Sequence, residues 1–199
     1  MSLDVAIIDS GGANLASLQF ALERLGARTC VTADMAIISA APRVLLPGVG
    51  SALAAMQRLA ASGVAGQLPT LRQPVLGICL GMQLLYLKSE EGPAQCLGVL
   101  PQTVRRLMPA AGRPVPHMGW NRLRIVREDP LLDGVAEGEY VYFVHSYAAP
   151  LSQNTLASAE YGVEIAAVVR KDNFWGTQFH PERSTKVGAR ILANFLRLT

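Results

Sequence analysis

One cysteine stands between two glycines at the end of an apolar run, and this segment limits what the chain can become. Residues 74–79 (PVLGIC) are typical of a buried strand, and residues 80–91 (LGMQLLYLKSEE) of a helix. A helix loses about 1 kcal/mol for an interior glycine, and a glycine also weakens a strand. The order Gly77, Cys79, Gly81 therefore indicates a nucleophile elbow, with cysteine in place of serine. In such an elbow, side chains two positions from the nucleophile would collide.

This elbow gives the Cys79 thiol a chemical role. The thiol would project at the tip of the strand, and a helix starting at Leu80 would favour a thiolate and offer free N–H groups to an oxyanion. The alternative is a buried structural cysteine, which is our interpretation of Cys30 and Cys96. Three cysteines without close pairing argue against a disulfide framework and fit a reducing cytosol.

The rest of the chain alternates short apolar runs with amphipathic segments. In the first half, we predict strands at 4–8, 28–32 and 74–79, a strand running into a glycine loop over 43–50, and helices at 14–26, 51–63 and 80–91. The second half holds more strand, in RLRIV, YVYFVHSY, TLASAEYG, IAAVVRK and FWGTQFH, and a closing helix in STKVGARILANFLRL. This order predicts a single α/β domain with a mostly parallel open sheet flanked by helices, plus extra antiparallel strands in the second half.

Bulk properties exclude several classes of protein. The 199 residues suit one domain spanning 1–199, half of them are apolar, and the net charge is only +3. That charge gives no strong attraction to nucleic acid or to a membrane surface. The start, MSLDVAIIDS, does not resemble a signal peptide, and the longest apolar run is shorter than the ~20 residues of a membrane span. We expect a cytoplasmic protein.

A thiol nucleophile needs a base, and His180 is the best candidate. It ends a predicted strand in FWGTQFHPERS, and Pro181 favours an extended conformation for the residue before it. In extended chain, Glu182 would share a face with His180 and could fix its tautomer and support its imidazolium. In open α/β sheets, sites form at the carboxyl ends of strands, where Cys79, the loop at 47–50 and His180 all fall.

These residues resemble a known family. GICLGMQ, PGVG and GTQFHPE are similar to motifs of the class I glutamine amidotransferases. The resemblance implies a flavodoxin-like fold and a catalytic triad of Cys79, His180 and Glu182, which would hydrolyse glutamine to glutamate and ammonia. We expect no cofactor, and we expect no metal site because no cluster supplies three ligands at recognisable spacing.

Over nearly its whole length, the chain resembles one branch of this family. PHMGWN (116–121), YFVHSY (142–147) and IIDSGGANLAS near the start are similar to the glutaminase subunits of imidazole glycerol phosphate synthases. The resemblance implies a heterodimer with a separate (β/α)₈ cyclase. That partner joins the ammonia to a nucleotide, giving imidazole glycerol phosphate and an aminoimidazole carboxamide ribonucleotide in histidine biosynthesis.

The resemblance also implies roles for individual residues, each set against a plainer alternative. The expected oxyanion donors are Val49, Gly50 and Leu80, although PGVG alone could be an ordinary turn. Glutamine would be held by Gly48, Gln83, Glu91, Ser146 and Tyr147, which could otherwise be surface residues. The expected partner contacts are Asn14, Trp120, Tyr142 and Arg183, whereas Trp120 alone could be core. We interpret His145 as a satisfied core histidine.

Two departures and three rival functions remain. Residues 10–13 (SGGA) replace the usual aromatic-Gly-Met-Gly, and Arg183 replaces the usual lysine after HPE, which puts the detail of partner contact in doubt. The chain could serve another synthase, such as one for anthranilate or guanylate. It could also be a stand-alone thiol hydrolase, or a regulatory domain without activity, although an intact triad argues against the last.

Overall fold

The computed structural model describes residues 3–10 and 15–199. In its first half the helices and strands are β1 (Val5–Ile8), α1 (Leu15–Glu23), β2 (Thr29–Thr32), α2 (Met35–Ala40), β3 (Val44–Gly48), α3 (Ala52–Ala61), α4 (Val64–Gln67), β4 (Val75–Cys79), α5 (Leu80–Leu84), β5 (Tyr86–Ser89) and β6 (Ala94–Gln95). In the second half they are β7 (Leu100–Arg106), β8 (His117–Arg122), β9 (Arg124–Ile125), β10 (Tyr140–His145), β11 (Tyr147–Ala148), β12 (Thr155–Glu160), β13 (Glu164–Lys171), β14 (Phe174–Thr177) and α6 (Thr185–Phe195).

The main sheet confirms the predicted fold class. Its order over the described residues is β2-β1-β3-β4-β14-β13-β12-β9. The strands from β2 to β14 in this order run parallel, and β13, β12 and β9 add antiparallel pairs at one side. The chain therefore has one mostly parallel sheet whose antiparallel extension comes from the second half of the sequence.

Alternating side chains of the central strands fill two cores, one on each face of the sheet. Val5 and Ile7 of β1 pack with Leu18 and Leu22 of α1 and with α6, including Ile191. Their neighbours on β1 pack in the other core, together with apolar residues of α3, α4 and α5. Because successive residues of a strand point to opposite faces, a strand covered on both sides is a continuous apolar run. This explains the short apolar runs in the first half of the sequence.

The helix predicted over residues 80–91 is wrong in its second part. Helix α5 stops at Leu84, and the chain then forms β5, which pairs in parallel with β7. Tyr86 at the start of β5 is fully buried, and the Leu85 carbonyl accepts from the Leu100 N–H at 2.8 Å. Pairing with a strand that sequence periodicity did not reveal thus overrides helix propensity here.

Two smaller sheets lie beside the main one. Strands β8 and β10 form an antiparallel pair in which His145 lies opposite His117 and Tyr142 opposite Trp120. The other small sheet has the order β11-β7-β5-β6. Within the described ranges, no helix is long and apolar enough to cross a membrane.

Candidate active site

Cys79 lies at the junction of β4 and α5 in a strained backbone conformation. Its φ is 55° and its ψ is −112°, a region that residues with a side chain rarely adopt. The Sγ atom lies 3.7 Å from the Val144 carbonyl oxygen and 3.9 Å from the Gln178 side-chain nitrogen. The predicted elbow is therefore present, with the thiol at the carboxyl end of a central strand.

The flanking glycines are required by close backbone contacts. A Cβ atom on Gly81 would lie 1.7 Å from the Leu46 carbonyl oxygen of β3, and one on Gly77 would lie 2.7 Å from backbone atoms of Gly81. Both distances are far below van der Waals contact. Helix α5 therefore starts pressed against the neighbouring strand, and only glycine fits at these two positions.

His180 and Glu182 lie together in the turn that follows β14. His180 Nδ1 is 2.8 Å from Glu182 Oε1, and both side chains are buried. Ser184 fixes this turn, because its hydroxyl donates to the His180 carbonyl at 2.7 Å and accepts from the Tyr142 N–H. Helix α6 packs so closely on the turn that a Cβ on Gly188 would lie 1.9 Å from the Pro181 carbonyl oxygen. The imidazole is therefore held by contacts on several sides.

The electrostatics of the site favour a protonated imidazole. Burial lowers the pKa of His180, but hydrogen bonds with Cys79 and Glu182 and their negative charges outweigh it and raise that pKa to about 10. The structure thus brings Cys79, His180 and Glu182 together in one site, with His180 bonded to Glu182 and beside the cavity that Cys79 lines, although the first two are far apart in sequence. This arrangement suits an imidazolium held between a thiolate and a carboxylate.

A cavity of about 300 Å³ opens beside the thiol. It is lined by most of the predicted oxyanion and substrate residues: Val49, Gly50, Leu80, Gln83, Glu91, Ser146 and Tyr147, together with Cys79 and His180. A volume of this size suits a small polar ligand such as an amino acid. Gly48 lies just outside this lining and directly opposite Cys79 in the sheet.

The loop from Gly48 to Gly50 lies against the start of α5. A Cβ on Gly48 would come within 2.9 Å of the Gly81 nitrogen, and Gly50 has a φ of +90°. The two glycines are therefore needed for different reasons, the first for close approach and the second for its backbone conformation. Ser10 supports the start of this loop, because its buried hydroxyl donates to the carbonyl of Pro47, the residue before Gly48, at 2.8 Å.

Gln83 and Glu91 hold defined positions at the cavity. The Gln83 side-chain nitrogen donates to the Tyr147 carbonyl at 2.8 Å and to the Gln178 side-chain oxygen at 3.0 Å. Glu91 accepts from the Ala52 N–H at the first turn of α3 at 2.9 Å, where the helix dipole favours a negative charge. Both predicted substrate residues are therefore oriented by protein contacts.

Two of the predicted partner residues, Trp120 and Tyr142, lie on the exposed side of the β8–β10 pair. Trp120 is 49% exposed, which excludes the core alternative, and its ring lies 5.8 Å from that of Tyr142. The Arg183 guanidinium lies over the Tyr142 ring, 4.6 Å from the centre of that ring. Asn14 and the altered residues 11–13 lie outside the described residues. Trp120, Tyr142 and Arg183 form a contiguous surface, called the aromatic face below.

A family model for class-I glutamine amidotransferases matches residues 6–198. The chain belongs to this family. The amidotransferase is also 53% identical over 196 residues to imidazole glycerol phosphate synthase subunit HisH of Xanthomonas oryzae pv. oryzae, covering 98% of each chain. The corresponding HisH subunit of Shewanella oneidensis is 52% identical, over 98% of this chain and 96% of that one.

Solved structures of other amidotransferases share the fold. A Thermoplasma acidophilum protein assigned to a GMP synthase aligns with a TM-score of 0.74 at 20% identity, covering 98% of this chain and 93% of that one. A second structure, of a protein described as a glutamine amidotransferase, has a TM-score of 0.74 at 22% identity and covers 96% of each chain. At such identities the likeness concerns the fold alone.

Several residues that contact the amidotransferase site were missed by sequence reasoning. Gln178 is fully buried and bridges Gln83 to the thiol. Its position two residues before His180 in extended chain could have revealed it, because such residues share a face. Ser10 and Ser184 gave no signal, since their partners are backbone atoms that sequence spacing does not place beside them.

Proposed function

We propose that the chain is the glutaminase subunit of an imidazole glycerol phosphate synthase. It hydrolyses glutamine to glutamate and ammonia for the synthase reaction of histidine biosynthesis. The observation that carries the proposal is the grouping of Cys79 with the His180–Glu182 pair at one amino-acid-sized cavity, in a chain of this family. The choice of synthase rests on the sequence identity to HisH subunits over almost the full length.

The first half of the reaction forms a thioester. The Cys79 thiolate attacks the side-chain carboxamide carbon of glutamine, and the developing oxyanion is stabilised by the Leu80 N–H and by a donor of the Val49–Gly50 loop. The imidazolium of His180 donates its proton to the amide nitrogen, and ammonia leaves. Glu182 compensates the positive charge of His180 before this transfer and holds its tautomer afterwards.

The second half releases glutamate. Neutral His180 takes a proton from water, the resulting hydroxide equivalent attacks the thioester carbon, and the C–S bond breaks. The Cys79 thiolate and the His180 imidazolium are thereby restored, so the cycle closes without a cofactor. Glu91 is suited to the ammonium of glutamine. The segment of Ser146 and Tyr147 would hold its carboxylate.

We propose a (β/α)₈ cyclase as the partner in a heterodimer, docked on the aromatic face. An exposed tryptophan and a partly buried tyrosine beside an arginine are typical of interface anchors. Strand β10, which carries Tyr142, is hydrogen-bonded to the turn that holds His180, because the Tyr142 carbonyl accepts from the His180 N–H at 3.0 Å. Partner docking would therefore act directly on a segment that holds the base. We propose further that residues 1–199 act as one amidotransferase domain in the cytoplasm.

Replacing the nucleophile tests this function most simply. Cys79→Ala should abolish glutamine hydrolysis in the complex with the cyclase, because no thioester can form. The same complex should still make imidazole glycerol phosphate from added ammonium salts. Cys30→Ala, at a partly buried cysteine of β2, should leave both activities unchanged.

Two outcomes would contradict the proposal. Glutamine hydrolysis that survives in Cys79→Ala would remove the nucleophile from its role. Loss of the ammonia-dependent reaction in the same variant would argue against separate sites joined by ammonia transfer.

A further inference from the structure

A series of hydrogen bonds runs from strand β8 to the floor of the cavity. The Asn121 side-chain nitrogen lies 3.3 Å from His117 Nε2, and His117 Nδ1 lies 3.0 Å from His145 Nε2. His145 Nδ1 in turn lies 2.8 Å from the Tyr147 carbonyl oxygen. Both histidines are buried, and neither belongs to the predicted triad of Cys79, His180 and Glu182.

The acceptor at one end sets the direction of every bond. A carbonyl oxygen only accepts, so His145 carries its hydrogen on Nδ1 and has a lone pair on Nε2. That lone pair requires a hydrogen on His117 Nδ1, which leaves His117 Nε2 as an acceptor. Each ring can then make both of its contacts only as the neutral tautomer with hydrogen on Nδ1.

The other end of the series imposes the same direction independently. The Asn121 nitrogen also donates to the Glu160 carbonyl at 2.8 Å, and the Asn121 oxygen accepts from the Arg122 N–H at 2.8 Å. These two backbone contacts fix which side of the amide faces His117. The nitrogen side does, so it donates to the lone pair on His117 Nε2.

The surroundings keep both rings uncharged. Burial lowers the pKa of His117 to about 4 and that of His145 to about 3. The His117 ring is stacked between Phe143 and Tyr161, at centroid distances of 4.8 and 3.9 Å. These contacts also hold the plane of the ring, so its two nitrogens are fixed in direction.

The Tyr147 carbonyl connects this series to Gln83. It accepts from His145 and also from the Gln83 side-chain nitrogen at 2.8 Å, whose other hydrogen goes to Gln178. Both amide hydrogens of Gln83 are therefore committed to protein oxygens, and the side-chain oxygen is the polar atom left for a ligand. The carbonyl position thus decides where Gln83 presents that oxygen.

We propose that His117 and His145 are positioning residues for glutamine, acting through the Tyr147 carbonyl and Gln83. The inference rests on the proposed function and deepens it. It links strand β8, which carries Trp120 of the aromatic face, to the substrate cavity by hydrogen bonds that all point the same way. Only side chains that donate on one side and accept on the other can replace these histidines.

Variants at both positions separate this role from simple packing. His117→Phe keeps a flat ring between the two aromatic neighbours but removes both hydrogen bonds. His145→Leu removes both bonds at the second position, whereas His145→Gln retains one donor and one acceptor. Asn194→Leu is the matched control, because it removes one buried and one partly buried hydrogen bond from α6 to the Leu131 and Asp133 carbonyls, away from the cavity.

The readout compares two reagents at Cys79. A glutamine-shaped diazoketone needs the substrate cavity, whereas iodoacetamide needs only the thiol. For His117→Phe and His145→Leu we expect labelling by the diazoketone to slow about tenfold, the effect of losing one or two hydrogen bonds, with iodoacetamide labelling unchanged. In the complex with the cyclase, the KM for glutamine should rise by a similar factor with kcat nearly constant. His145→Gln should recover most of the loss.

The outcomes distinguish this inference from the proposed function. If the diazoketone labels the wild type no faster at Cys79 than at Cys30 or Cys96, the proposed function fails. If wild-type labelling is selective but His117→Phe labels at the wild-type rate, the positioning role is wrong. Two other results would overturn the inference: diazoketone labelling that slows equally in His145→Gln and His145→Leu, or labelling that also slows in Asn194→Leu. Either would show that the histidines contribute only to packing.

Discussion

Gly81 is the residue whose role depends most on a single contact. The Leu46 carbonyl occupies the space that a side chain would need, so the first turn of α5 can approach β3 only because Gly81 has no Cβ. Helix α5 begins at Leu80, directly after the thiol-bearing Cys79. A glycine that looks unfavourable for a helix is thus a requirement of the site.

Gly81→Ala is expected to displace α5 and to remove most glutaminase activity. Overpacking of this kind typically costs about 1–3 kcal/mol of unfolding free energy. The matched control is Gly66→Ala, because Gly66 is also helical, in α4, and has open space around it. That change should raise the unfolding free energy by about 0.5–1 kcal/mol and leave activity intact. Urea denaturation and glutamine hydrolysis would measure both. If Gly81→Ala is as stable and as active as the wild type, the close approach of Gly81 to the Leu46 carbonyl is not required.

Residue types and spacing predict the grouping of Cys79, His180 and Glu182, but not all of the contacts that hold these residues in place. The elbow around Cys79 and the pairing of His180 with Glu182 depend on local geometry, which sequence spacing specifies. Gln178, Ser184 and the relation of His117 to His145 depend on strands that meet only in the folded chain. Such contacts leave no local pattern in a single sequence.

At the scale of elements, the β8–β10 pair has two different faces. Alternation along the strands places Trp120 and Tyr142 on the exposed side, and His117, Phe143 and His145 on the buried side. The strand YVYFVHSY could be predicted from its alternation, whereas PHMGWN offered no clear period. The same register explains why neighbouring residues in one motif have unrelated roles.

The buried histidines of this pair should make the protein sensitive to acid. Their folded-state pKa values, about 4 and 3, lie below the value of about 6.5 expected for the unfolded chain. Below pH 6.5 the unfolded chain therefore binds protons that the folded chain does not, and stability falls as the pH falls. Each histidine should contribute up to about 1.4 kcal/mol per pH unit between pH 6 and 5.

Urea denaturation at several pH values would measure this dependence. His145→Gln should remove about half of the slope. His180→Asn should not change it, because the raised pKa of His180 gives stability that is intact below pH 6.5 and is lost only as the pH rises towards 10. If His145→Gln keeps the wild-type dependence of unfolding free energy on pH, His145 is not a source of that dependence.

At the scale of the whole molecule, the main sheet places the candidate active site at the carboxyl ends of its central strands β3 and β4. The general architecture could be predicted from the alternation of strands and helices, because strand ends in parallel sheets gather in one place. The short helix α5 and strand β5 could not, since their boundary is set by pairing with β7. That boundary determines where Glu91 meets the cavity.

Trp120→Ala should weaken activation by the cyclase without harming the thiol. Truncating a central aromatic anchor typically reduces affinity about tenfold or more, so more cyclase should be needed for full activation. Iodoacetamide should still label Cys79 at the wild-type rate. Val126→Ala is the control, because Val126 is a similarly exposed apolar residue beyond strand β9. Equal activation curves for Trp120→Ala and Val126→Ala would exclude the aromatic face from the interface.

The proposed glutaminase subunit should depend on its synthase partner, and the rate of glutamine hydrolysis with and without that partner tests this most directly. Glycines on both sides of Val49 allow its peptide to turn towards or away from the oxyanion, and one such donor is typically worth about 10²–10³ in rate. We predict turnover barely above background for the isolated chain. Adding the cyclase with its nucleotide should raise it by orders of magnitude, mainly in kcat. Full glutaminase activity in the isolated chain, unchanged by the cyclase, would contradict the account.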